Sequence, residues 1–125
     1  MKRLFATLLC LLTFTKNQAQ TKAYVDQKTK AFSLTANIRQ DHQFFGYAAP
    51  SVKAKRLILF SIFTNAIKGN PYKCPLGAYY DTSGLKTEDT IRYVSATRNF
   101  VKLQYMSATK GTTPFYVQRR FVSLQ

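Results

Sequence analysis

Lys55-Arg56-Leu57-Ile58-Leu59-Phe60-Ser61-Ile62-Phe63-Thr64 is the longest predominantly apolar run outside the first twenty residues. Lys53, Lys55 and Arg56 stand at its start, and Lys68-Gly69-Asn70-Pro71 closes it. A short apolar run bounded by turn formers is the pattern of a strand buried on both faces, and its length and position predict a central one. A buried helix of the same length is the rival reading, but Ile, Phe and Thr favour the strand.

Working outward, Phe32, Leu34, Ala36 and Ile38 alternate with Ser33, Thr35, Asn37 and Arg39, which predicts a half-buried strand over 31–39. Gln40-Asp41-His42 is a polar break. Residues 43–49 form an aromatic strand, with Gly46 at a bulge or a close backbone approach, and Pro50-Ser51 ends it. Two prolines and two glycines between Lys68 and Gly77 exclude a regular element there. Ala78-Tyr79-Tyr80 reads as a short strand before the turn Asp81-Thr82-Ser83-Gly84. Residues 90–96, 100–107 and 114–124 read as a meander, with turns at Thr97-Arg98-Asn99 and Lys110-Gly111 and with Val101, Leu103 and Tyr105 on one face. The sum is six or seven short strands. An all-β fold, a small antiparallel sandwich or barrel, is expected, with α+β as the alternative, a short N-terminal helix resting on an antiparallel sheet.

The N-terminus reads as an address. Lys2-Arg3 is followed by eleven residues, 4–14, that are mostly apolar, and then by Lys16-Asn17-Gln18-Ala19. This is the layout of a secretory signal peptide, cleaved between Ala19 and Gln20. The apolar run falls short of the ~20 residues that span a bilayer. Cys10 is preceded by Leu9 rather than a small residue, which argues against lipid attachment. The organisation expected is a signal over 1–19, a flexible arm over 20–30 and one β domain over 31–125. Losing Lys2, Arg3 and Lys16 lowers the net charge from +14 to +11 and leaves Cys74 as the sole cysteine. An internal disulfide is then excluded, and the core must hold the fold unaided.

Few chemistries fit. Cys74 follows Lys73, whose ammonium would favour the thiolate, and His42 is the only histidine. A Cys–His nucleophile needs hydrogen-bond reach and an orienting group, which the spacing does not supply. The competing reading is a small buried side chain under a proline-braced loop. Asp81-Thr82-Ser83-Gly84 differs from the Asp-Thr-Gly of aspartic proteases by the intruding Ser83, and it is an ordinary turn sequence. Glu88 and Asp89 would point opposite ways on a strand. Lys110-Gly111-Thr112-Thr113 lacks the rest of a phosphate loop, and no ligand spacing suggests a metal. Neither a metal nor a cofactor is expected.

The remaining lead is charge. Lys53, Lys55 and Arg56 form the candidate anion-binding cluster, whereas Arg119 and Arg120 would face opposite sides of an extended strand. Lysines and arginines also protect strand edges from aggregation. Export puts lipid headgroups and anionic envelope polymers closer to hand than nucleic acid. The expected function is a small, basic, non-enzymatic exported β domain that binds an anionic envelope surface or polymer; the alternative is a small exported enzyme or redox protein using Cys74. The signal followed by Gln20, and the aromatic, Pro/Gly-punctuated stretch from Gly69 to Asp81, resemble the short exported, functionally uncharacterised proteins of Bacteroidota-like bacteria. The resemblance implies a place outside the cytoplasm (periplasm, outer surface or medium) and carries no catalytic residue across.

Overall fold

A computed structural model describes residues 22–35, 43–60, 72–79 and 82–125. The signal, its cleavage position, His42 and Lys68-Gly69-Asn70-Pro71 lie outside these residues. Among these residues there are eight strands: β1 (Lys22–Val25), β2 (Phe32–Thr35), β3 (Phe45–Tyr47), β4 (Arg56–Leu59), β5 (Thr90–Ala96), β6 (Phe100–Ser107), β7 (Gly111–Gln118) and β8 (Val122–Leu124). They form a three-stranded sheet in the order β2-β1-β8 and a five-stranded sheet in the order β4-β3-β7-β6-β5. The all-β sandwich expected from the alternation is the fold observed. Among the described residues there is no α-helix, and none is long and apolar enough to cross a membrane.

Period two explains the packing. Ala23, Val25, Phe32 and Leu34 point inward from the small sheet; Val101, Leu103, Phe115 and Val117 meet them from the large one. Phenylalanines join the layers. Phe60 lies 5.5 Å from Phe32, 5.1 Å from Phe44 and 6.1 Å from Phe115, and Phe44 stacks on Phe121 at 4.8 Å. Such pairs add about 0.5–1.5 kcal/mol each beyond their burial. The layers are also joined along one margin, where Ala31 bridges Arg92 and the Tyr93 N–H donates to the Lys30 carbonyl at 2.9 Å. The 3₁₀ turn Arg119–Phe121 carries the chain from β7, in the middle of the large sheet, to β8 at the edge of the small one.

Four expectations are corrected. The segment read as a flexible arm contains β1, the middle strand of the small sheet, antiparallel to β2 and parallel to β8. Ala23 and Val25 are fully buried, and the Asp26 carboxylate accepts the Lys28 N–H at 2.9 Å to fix the turn into β2. The Arg56–Leu59 run is indeed buried on both faces towards its end, Ile58 and Leu59 belonging to opposite clusters. It is nevertheless the outermost strand of its sheet, not a central one. Residues 76–79 cover its outer edge: the Leu76 N–H donates to Leu57 O at 2.8 Å, and the Tyr79 N–H to Leu59 O at 2.8 Å. Ala78 therefore makes a single bridge to Leu59 rather than a strand. Finally, 114–124 is not one strand, because the turn at Arg119 divides it.

Gly46 sits where the β3–β4 register shifts, and a Cβ placed on it would run into Ile58 and Phe115. It answers to both expectations for that residue, the bulge and the close approach.

Candidate functional site

The turn between β5 and β6 closes through the Thr97 N–H donating to Phe100 O at 2.8 Å. The turn after β7 docks against it: the Arg119 N–H donates to Asn99 O at 2.9 Å, and Arg119 Nη1 donates to Thr97 O at 2.8 Å. Two chain-distant turns are thereby joined, and Arg98, Arg119 and Arg120 line one hollow of about 550 Å³ with Phe100, Gln118 and Val52. No acidic residue among the described residues lines it. Arg120 Nε donates to Gln118 Oε1 at 2.8 Å, and its guanidinium lies 4.5 Å from the Phe121 ring centre. Each of these bonds uses one donor of a five-donor fork. The extended geometry that would set residues 119 and 120 on opposite faces is overturned by the 3₁₀ turn.

None of the candidate cluster Lys53, Lys55 and Arg56 lines this hollow. Lys53 and Lys55 are exposed in the loop between β3 and β4, next to the hollow's Val52. Arg56 is held by aromatic faces, its guanidinium 4.4 Å from the Phe45 centroid and 4.9 Å from Tyr72. The buried Tyr47 connects the two groups. Burial raises its phenol above the ordinary value, while Arg56, a bond to Gln118 and Arg120 pull it back.

Cys74 is 3% exposed, packed with Phe45, Tyr47 and Leu59 on the far face of the large sheet. Burial pushes its thiol up, and Arg56, the opposing influence, is the weaker. The adjacent Lys73 is exposed at φ 50°. Burial and a raised pKa both make this thiol a poorer nucleophile than an exposed one. Its supposed partner His42 lies outside the described residues. Among the described residues no three His, Cys, Asp or Glu side chains come together as metal ligands.

A polar network went unread in the sequence. Asp89, directly before β5, accepts from Tyr105 Oη at 2.7 Å and from the Ala108 N–H at 3.3 Å. Tyr79 Oη donates to Leu76 O at 2.8 Å and lies 3.3 Å from Tyr105 Oη. The bond from Tyr105 holds the Asp89 carboxyl below its ordinary value despite some desolvation, with help from Ala108, Lys86 and Lys110. Tyr105 moves far the other way, through burial first and then Tyr79 and Asp89. The available signal was the alternation that turns Tyr105 inward, because a buried phenol needs a partner. A raised folded value means stability that is complete below pH 10.0, the ordinary phenol value, and lost as pH climbs above it. Alkaline titration followed by tyrosinate absorbance and circular dichroism is expected to show Tyr105 ionising only as the sheets unfold. Tyr105→Phe should shrink that step to the part that Tyr47 contributes; an unchanged amplitude in the variant would exclude Tyr105 as a source.

No protein-family model, curated protein or solved structure matches this chain.

Proposed function

We propose that the protein is an exported, non-enzymatic β domain that holds an anionic polymer of the cell envelope against its arginine hollow. The observation that carries this reading is the convergence of Arg98, Arg119 and Arg120 from two turns onto one surface with no carboxylate in its lining among the described residues. The neighbouring Lys53, Lys55 and Arg56 extend the same positive field, and the chain without residues 1–19 carries +11. Two of the five acids are spent internally, Asp26 on its own turn and Asp89 on Tyr105. Arginine suits the role because its planar fork pairs with carboxylate or phosphate through two parallel bonds. Export is read from residues 1–19, and the buried thiol of Cys74 weighs against a thiol enzyme.

The test is retention of the purified protein on immobilised polyphosphate across a salt series. Binding is expected to fade as salt shortens the screening length. Hydrogen bonds to charged groups contribute about 1.5–3 kcal/mol each, so Arg98→Ala/Arg119→Ala/Arg120→Ala should bind at least about tenfold more weakly. Lys53→Ala/Lys55→Ala should cost less, since those lysines act at a distance. Equal retention of the arginine variant would overturn the site. Vesicles of anionic lipid, run in parallel, show whether headgroups compete for the same surface.

A further inference from the structure

The arginine hollow opens onto the outer face of the large sheet. Residues directly opposite in an antiparallel ladder share a face. Val101 with Val117 and Leu103 with Phe115 take the inner face, so Phe100 with Gln118, Lys102 with Tyr116 and Gln104 with Pro114 take the outer one. The first of these outer pairs lines the hollow. At about 3.3 Å per residue, the Lys102–Tyr116 pair stands about 7 Å beyond it and the Gln104–Pro114 pair about 13 Å beyond it. Arg92 of β5 is opposite Gln104 and continues that row. Arg92 is exposed, and Lys102, Gln104 and Tyr116 are half-exposed. Lys102 Nζ lies 5.8 Å from the centre of the Tyr116 ring, which holds the ammonium on the outer face.

Charge decides what this face accepts. None of the eight described strands contains an Asp or a Glu. Among the described residues, the path from the hollow through Lys102 to Arg92 therefore carries cations and neutral side chains only. Glu88 and Asp89, directly before β5, bound its far end, and Asp89 is already engaged by Tyr105 and the Ala108 N–H. Cations set out in steps along two strands match anionic groups repeated along one chain; a single small anion reaches only the hollow.

We infer that the polyanion held in the hollow runs on across the outer face of β7 and β6 to Arg92, with Lys102 as the intermediate contact. The ligand class is then a linear chain of repeated anionic groups rather than a small anion. This rests on the reading of the hollow as a polyanion site.

The test is calorimetric titration of the purified protein with pyrophosphate and with long-chain polyphosphate across a salt series. Arg92→Ala/Lys102→Ala should bind the long chain about fivefold more weakly, the cost of two exposed charge contacts. Its log–log dependence of affinity on salt should be shallower by about two. Pyrophosphate, too short to leave the hollow, should bind that variant as it binds the parent. Arg92→Lys/Lys102→Arg keeps both charges and should bind the long chain like the parent; a loss as large as in the alanine pair would assign the effect to packing and overturn the path. Unchanged long-chain affinity and salt slope in the alanine pair, with binding lost in Arg98→Ala/Arg119→Ala/Arg120→Ala, would overturn the path and leave the hollow standing. Equal weakening of both probes would overturn it as well, the two charges then acting only as a diffuse field. Parent-like binding of both probes by the triple arginine variant would instead overturn the hollow, and the path with it.

Discussion

Gly46→Ala is expected to destabilise the protein by about 1–3 kcal/mol, and Gly46→Val to prevent cooperative folding, because overpacking a filled core forces side chains off their rotamers. Glycine is needed here for space. The atoms a Cβ would strike are Ile58 Cγ2 and Phe115 Cδ2, on two side chains that are fully buried. Neither yields easily. Ile58 is β-branched and stiff at χ1, and the Phe115 ring packs 6.1 Å from Phe60. The β3–β4 register shifts at this point, so the backbone is already committed to a local distortion and has little freedom to back away. Denaturant unfolding of the two variants beside the parent measures the effect. An unchanged midpoint for Gly46→Ala would show that the inner face has room for a methyl group there.

The strands that sequence reading located are those whose inward residues are large and spaced by two. Phe32 with Leu34, Val101 with Leu103 and Tyr105, and Phe115 with Val117 each announce a face, and all are buried. β1 escaped because its inward pair is Ala23 and Val25: alanine carries little apolar weight, and four residues give alternation no length. Its pairing with β8 was equally hidden, since β8 comes from the far end of the chain and runs parallel to it. The apolar run at β4 revealed its two buried faces but not its position, because a loop that hydrogen-bonds along an edge protects it as a neighbouring strand would. At the arginine hollow the charges were visible and their convergence was not. It depends on a 3₁₀ turn of Arg-Arg-Phe, a sequence that also suits a strand, and on Arg119 reaching back to Thr97. Asp89 was similarly opaque: as one of two adjacent acids in a polar stretch it gave no sign of Tyr105, sixteen residues away.

Phe115→Ala should cost about 3–5 kcal/mol, the usual range for removing a buried aromatic ring. Against a typical total stability of about 5–15 kcal/mol, that is enough to leave a large unfolded fraction. Phe115 is fully buried, stands opposite Leu103 in the β6–β7 ladder and packs against Phe60, which itself touches Phe32 of the other sheet. Its loss therefore opens a void along the line that joins the layers. The same ring is what a side chain at position 46 would strike, so the two substitutions are coupled. In the Phe115→Ala background, Gly46→Ala should cost less than in the parent, because its methyl group enters the space the ring has left. Contacting residues show interaction energies of about 0.5–3 kcal/mol in double-mutant cycles, and a value in that range with the sign of mutual relief is expected. Val94→Ala, at a position 37% exposed on β5, serves as the control and should stay within about 0.5 kcal/mol of the parent. Strict additivity of the pair would mean that Ile58 alone makes glycine necessary at position 46, and that the approach of β3 to β7 is set without the Phe115 ring.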